Sequence, residues 1–301
     1  MNELVKYDKI FLGRSDNMLD LTNMDFNIKE DLEFILESEK TDVETLSKNT
    51  TISKTTISEI RKGKRCEDKV CEKFYSYAYD KGYRINLIKE EFLIESNKTI
   101  LFHGSKNGLN GISYKGSRKS CDFGEGFYLG EKYESTLSFI CEHRNSVSYS
   151  FELNLEGLNV YKFNCSLEWM LAICYYRGFI KKYLDNEIIL EIIKKIKDAD
   201  VIIAPIADNR MFYIMSLFSN GDITENVAIH SLSASNFGNQ YVLKTPKAIE
   251  QLRPIEKYYI PQNEKEYYID KLNHRTQMIE TKLRLAKREF KDGLYIEEIL
   301  K

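Results

Sequence analysis

Leu101-Phe102-His103-Gly104-Ser105-Lys106 and, further along, Cys121-Asp122-Phe123-Gly124-Glu125-Gly126-Phe127-Tyr128-Leu129-Gly130 decide how this chain reads. The apolar run Thr99-Ile100-Leu101-Phe102 breaks into a polar His-Gly-Ser. That pattern predicts a buried strand delivering an imidazole and a hydroxyl to a cleft edge, with Gly104 allowing a ligand close to the backbone. In the second stretch Gly124, Gly126 and Gly130 surround Phe127 and Tyr128, so two rings sit on a backbone free to turn sharply. Taken singly, each piece has a plainer explanation. A histidine at a strand end is ordinarily a satisfied structural residue, and a glycine-aromatic cluster is ordinarily a tight turn.

Outward from these stretches, composition sets the bounds. A chain of 301 residues suits two domains, or one large domain with an appendage. With 43% hydrophobic and 30% charged residues it has the make-up of a soluble globular protein. Its net charge of -2 excludes a global polycation, so any nucleic-acid surface must be local. Cys66, Cys71, Cys121, Cys141, Cys165 and Cys174 are scattered, without paired zinc spacing or the density of a disulfide scaffold, and no metal is expected. The opening residues do not read as a signal peptide and no apolar run is of membrane-spanning length. A cytoplasmic protein with reduced thiols and no membrane partner is therefore expected.

The fold class predicted is α+β: an N-terminal all-α domain, a split mixed β-sheet domain and a long C-terminal helix. The divisions are 1–24, an N-terminal segment with the apolar run Lys9 to Gly13; 25–84, helical; 85–260, mixed; and 261–301, a helical extension. In the helical domain Ile28, Leu32, Ile35 and Leu36 share a face, and Asp42 caps a short helix carrying Val43 and Leu46. Asn49 is expected to turn left-handed. Ser53 caps a third helix from Lys54 to Arg61, and Gly63 stops it. Asp68 to Lys81 reads as a fourth helix with Val70, Phe74 and Tyr77 inward and Gly82 as its stop.

Thr51-Ile52-Ser53-Lys54-Thr55-Thr56-Ile57-Ser58-Glu59-Ile60-Arg61-Lys62-Gly63-Lys64-Arg65 resembles the recognition segment of Cro/λ-repressor-type helix-turn-helix domains. The resemblance implies that Ser53, Lys54, Thr55 and Thr56 open a recognition helix where base-edge contacts would lie, and Arg61 and Lys62 are further DNA-binding candidates. A helical bundle using the same layout to dock protein is the alternative. One such module with few bases binds DNA weakly unless it dimerises.

Beyond Tyr128 the pattern predicts a helix from Ser135 to Arg144, a half-buried strand Val147 to Leu153, and a hairpin through Glu156-Gly157 to Val160–Phe163. Two helices over 166–198 precede an apolar strand from Ala199 to Ile206, which ends in Ala207-Asp208-Asn209-Arg210. Helices from Met211 to Phe218 and Thr224 to Leu232 lead to a strand Gln240 to Lys244 and a short helix Pro246 to Leu252. Asn263 to Lys301 reads as one long amphipathic helix, with Met278 and Ile279 in its apolar stripe.

His103-Gly104-Ser105, Asp122-Phe123-Gly124-Glu125-Gly126-Phe127-Tyr128, Ala207-Asp208-Asn209 and Gln240-Tyr241-Val242 occur in that order. The series resembles the ADP-ribosyltransferase superfamily, in its His-Tyr-Glu branch, and a set of uncharacterised bacterial domains there carries HGS, DFGxGFY, an ADD-like segment and Gln-Tyr. The resemblance spans roughly 97 to 260 and implies a split sheet gripping the nicotinamide end of NAD. It implies that His103 bonds the nicotinamide ribose, the Gly104 backbone holds the carboxamide, Ser105 supports the ribose, and Tyr128, beside Phe127, stacks on the ring. Arg118 and Lys119 are candidates to reach the NAD pyrophosphate, with a solvated loop as the plainer role, and Arg210 offers a phosphate-binding guanidinium. Cleaving the nicotinamide-ribose bond develops positive charge on the sugar, so the site must orient the ring and stabilise a cation.

The branch usually carries Glu at its third position, whereas this chain offers Gln240. Losing a preorganised carboxylate costs about 3 to 4 kcal/mol, or ~10² to 10³ in rate. Asp208 is the alternative carboxylate, or else the N-cap of the following helix. Asp122 is expected to fix the glycine loop through its backbone. The resemblance implies a mono-ADP-ribosyltransferase with NAD as substrate, releasing nicotinamide and modifying a macromolecular acceptor, protein or nucleic acid. Joined to a helix-turn-helix it suggests a bacterial toxin or phage-defence effector under an antitoxin protein. A regulator that senses NAD or ADP-ribose without chemistry is the other expectation.

Overall fold

The computed structural model describes residue 21 and residues 24–207, 209–233, 238–290 and 292–301. The Lys9 to Gly13 run and Asp208 lie outside the described residues, as do the side chains of Arg210, Met278 and Ile279. In chain order the elements are α1 Ile28–Ser38, α2 Val43–Thr50, α3 Lys54–Arg61, α4 Asp68–Asp80, α5 Ile85–Ile94, β1 Ile100–Ser105, β2 Phe127–Gly130, α6 Tyr133–Ile140, β3 Val147–Leu153 and β4 Val160–Lys162. They continue with α7 Leu167–Arg177, α8 Glu187–Asp198, β5 Val201–Pro205, α9 Asn209–Ser219, α10 Glu225–Ser233, β6 Asn239–Leu243, α11 Pro246–Glu250, β7 Leu252–Tyr259, α12 Gln262–Glu289 and α13 Ile296–Ile299. This is the α+β class expected.

The chain divides into two compact units. One comprises Met1–Gly111, Thr136–Leu153 and Arg253–Asp270, the other Ile112–Ser135, Asn154–Leu252 and Lys271–Lys301.

In the first unit, local signals set the helices. Asp42 accepts the Thr45 N–H and Ser53 accepts the Thr56 N–H, which satisfies donors the helix itself leaves open. The three residues between α2 and α3 turn at Thr51, whose φ of 57° makes it, and not Asn49, the left-handed residue. Ile28, Leu32, Ile35, Leu46, Ile57, Ile60, Cys71 and Phe74 close one core, while Val70 and Tyr77 pack on its rim. Residues 85–94, within the stretch 84–97 that the sequence reads only as a join to the His103 strand, form α5, and Ile85 joins that core. Strand β1 pairs antiparallel with β3, and β7 lies on the far side of β3. β3 is buried almost throughout, so the half-exposed strand expected there is corrected.

A buried charge cluster ties these helices to β7. Lys89 donates to Asp31 Oδ2 at 2.7 Å and to Glu256 Oε1 at 2.6 Å, and the Tyr75 hydroxyl donates to Asp31 at 2.6 Å. Burial works against the ammonium, but the two carboxylates outweigh it and hold Lys89 above its ordinary value. Burial pushes Glu256 up, with Lys89 offsetting part of that rise.

In the second unit the strand order is β4-β5-β6-β2. β4 and β5 run parallel, whereas β6 is antiparallel to both β5 and β2. The expected hairpin does not form, because β4 takes the apolar β5 as its partner and β3 takes β1. α7 is buried from Trp169 to Cys174, and α8 turns Ile189, Ile192, Ile193 and Ile196 inward at helical spacing. The C-terminal segment is two helices and not one. α12 ends at Glu289, and Gly293 at φ 141° precedes α13, which buries Ile296.

Candidate functional site

The glycine-rich stretch before β2 is braced by side chains that bond its backbone. Tyr128 donates its hydroxyl to the Gly124 carbonyl at 2.8 Å and accepts the Phe123 N–H at 3.0 Å. Ser117 accepts the Gly126 N–H, and Lys244 donates to the carbonyls of Phe123 and Glu125. Gly124 is required twice over. Its φ is +75°, and a Cβ there would stand 2.7 Å from the Tyr176 ring. Burial, reinforced by Asp122, raises the Tyr128 phenol well above its usual range. Burial pushes Lys244 down to about 8.

Strands β2 and β6 set the opposing residues. Tyr128 pairs with Val242 and Gly130 with Gln240, so Tyr128 and Gln240 share one face. Gln240 is flanked by Gly130 on one side and Ala204 on the other, two small residues that leave room for its amide. Its nitrogen donates to Asp122 Oδ2 at 3.0 Å and to the Pro205 carbonyl at 3.2 Å. The same carbonyl accepts from the Trp169 indole at 3.2 Å.

Asp122 is buried, and Arg177 answers it. The guanidinium donates to Oδ1 from Nε at 3.0 Å and from Nη2 at 2.6 Å, and lies 4.0 Å from the centroid of the Phe212 ring. Burial raises the Asp122 carboxyl above its ordinary value, and Arg177 and Gln240 offset part of that rise. Asp122 thus holds its loop through its side chain, on Arg177 and Gln240, and not through the backbone as expected. On the neighbouring face Glu131 accepts from the Asn239 backbone and side-chain amides, both at 2.9 Å. This clamps the start of β6 to the end of β2. Arg177, Trp169 and Glu131 were not singled out by the sequence. Arg177 closes α7 just before a left-handed Gly178, which is an ordinary helix-terminal pattern.

The structure therefore brings Tyr128 and Gln240 together with Asp122 and Arg177. Phe127 is buried, and Arg118 is exposed in the loop that leads to Cys121. Asp208, outside the described residues, follows Ala207 beyond β5. His103, Gly104 and Ser105 belong to the other unit. There His103 pairs with Tyr149 across β1 and β3, and its carbonyl accepts from Ser148 at 3.4 Å. A Cβ on Gly104 would meet Ile140 at 2.9 Å and the Thr136 carbonyl at 3.0 Å, so packing demands glycine there. Ser105 donates to the Gly108 carbonyl at 2.7 Å.

On α3 the basic side chains face carboxylates. Lys54 lies 3.2 Å from Glu44, and Arg61 lies 2.7 Å from Glu33. Ser53 and Thr56 are hydrogen-bonded to each other, while Thr55 and Lys62 are exposed. His230 stacks on Phe290 with centroids 3.5 Å apart, a packing role. Among the described residues no helix is long and apolar enough to cross a membrane.

Residues 99–253 match the model of a family described as "Protein of unknown function (DUF3990)". No curated protein and no solved structure matches the chain.

Proposed function

Since the chain belongs to the DUF3990 family, whose model covers 99–253 of its 301 residues, we propose that it is an NAD-dependent mono-ADP-ribosyltransferase. The observation that carries this reading is the shared face of Tyr128 and Gln240 on paired strands, with the Asp122 carboxylate set against the Gln240 amide. An aromatic face suits a flat pyridinium ring, and an amide oxygen suits a ribose hydroxyl. The reaction breaks the bond between the ribose C1′ and the nicotinamide nitrogen. The bonding pair leaves with nicotinamide, an acceptor nucleophile bonds C1′, and the acceptor's proton passes to solvent.

A neutral residue at 240 suits single transfer better than chain elongation. Coupled to the α2–α3 pair, whose turn and Ser53 cap fit a helix-turn-helix, the activity fits a toxin or phage-defence effector held by an antitoxin. A second reading draws on the same neutral residue: a regulator that binds NAD or ADP-ribose without turnover and responds on DNA through α3.

Incubation with labelled NAD and bacterial lysate separates the two. Label on a macromolecule with release of nicotinamide, both lost in Tyr128→Ala, is the expected result. Stoichiometric binding without release, together with a ligand-dependent shift of promoter DNA, would replace it with the regulator.

A further inference from the structure

The Gln240 nitrogen has two acceptors, a carboxylate and a peptide carbonyl, and neither can donate to an amide oxygen. Its orientation is therefore dictated by chemistry: nitrogen towards Asp122 and Pro205, oxygen away from both. Arg177 in turn fixes Asp122, because both guanidinium bonds fall on Oδ1 and leave Oδ2 for the amide. The chain Arg177 to Asp122 to Gln240 is a relay with one open end, the Gln240 oxygen, which can only accept.

We infer that Asp122 is the carboxylate of this site, a positioning residue that holds Gln240 as an obligatory acceptor for a sugar hydroxyl. The inference rests on the transferase reading and adds to it. A charged acceptor strengthens the amide bond it receives and polarises the amide, so that Oε1 carries more negative charge than in an unpaired glutamine. Negative charge then reaches the ribose although residue 240 is neutral. A carboxylate at 240 itself would lie against Asp122, where two like charges cannot both persist. The groups facing Asp122 are Arg177 from α7, Gln240 from β6 and Tyr128 from β2.

Nicotinamide release from NAD is measured for the wild type, Asp122→Asn, Gln240→Glu and the double variant, each checked for cooperative unfolding. In Asp122→Asn the lock is lost, and kcat is expected to fall on the order of 10²-fold with KM little changed. Its profile should also lose the acid limb that protonation of Asp122 gives the wild type. Gln240→Glu alone should be impaired, while the double variant, in which the new amide at 122 donates to the new carboxylate at 240, should exceed both singles. That recovery keeps the test informative if Asp122→Asn folds poorly. An active wild type whose Asp122→Asn variant keeps its kcat and acid limb would overturn this inference alone. A wild type that releases no nicotinamide overturns the transferase reading and this inference with it.

Discussion

Arg177 and Asp122 form a charge pair at 2.6 Å between the last residue of a buried helix and the loop that carries the aromatic motif. The carboxylate side is buried while the guanidinium retains one partly open edge over Phe212. The pair fixes the loop to α7 and leaves the second carboxylate oxygen for Gln240. It is the joint through which the body of the second unit determines the geometry of its motif residues.

Replacing Arg177 with Met removes the only described countercharge within hydrogen-bonding distance of Asp122. The buried carboxylate must then be desolvated uncompensated or take up a proton, and destabilisation of about 3 kcal/mol is expected. The sign with pH follows from linkage. Asp122 already titrates above its ordinary value, and losing Arg177 raises it further, so the folded state binds a proton that the unfolded state does not. Stability of the variant should fall as pH rises through that window, and urea unfolding at acid and neutral pH should show the larger deficit at neutral pH.

Tyr128→Phe keeps the ring and deletes the hydroxyl. The Phe123 N–H then loses its partner, and the Gly124 carbonyl keeps only the Ser117 hydroxyl at 3.3 Å. A loss of about 1 to 3 kcal/mol is expected in chemical unfolding. If the ring supplies the stacking surface, ligand affinity should survive in Tyr128→Phe and disappear in Tyr128→Leu, which isothermal titration with NAD would resolve.

What the sequence made legible was local. Asp42 and Ser53 act within one turn, so their caps could be read directly, as could the inward isoleucines of a helix with period 3.6. What it hid depends on partners far along the chain. Lys89 interrupts an apolar stripe and made α5 look like a linker, because its countercharges are Asp31 and Glu256. Strand β7 was missed for the same reason: Pro254 and the charged Glu256 and Lys257 break its alternation, yet Glu256 points into the core. At the site, Tyr128 and Gln240 stood out by motif. Arg177 could not, since nothing near it in sequence announces a carboxylate 55 residues away.

Lys244 offers a test of the braced loop that needs no ligand. Its amine, pushed down to about 8 by burial, has an unfolded value of about 10.4. Between those values the unfolded state holds more protons, so this group makes stability rise with pH. The neutral amine still donates to both loop carbonyls. Lys244→Met should abolish that slope, and it should also lower stability at every pH because the carbonyls of Phe123 and Glu125 lose their donor. Thermal unfolding across pH 7 to 10 of the two proteins would check both effects.

Lys89 is the corresponding joint of the first unit. Its ammonium is 2% exposed and serves two carboxylates that are themselves buried, so removing it strands Asp31 and Glu256 side by side in a low-dielectric core. Lys89→Met should cost about 3 to 5 kcal/mol. Part of the loss is electrostatic and part is hydrogen bonding, and the two can be separated. Glu256 is held above its ordinary value mainly by burial, and without Lys89 it has every reason to take a proton; a Gln there supplies the neutral form permanently. Lys89→Met combined with Glu256→Gln should therefore be more stable at neutral pH than Lys89→Met alone, while Asp31 keeps the Tyr75 hydroxyl in both. Because a protonated Glu256 mimics the Gln, the gap between the single and double variants should close as pH is lowered. A gap that stays constant with pH would mean that packing of the methionine, and not stranded charge, sets the cost.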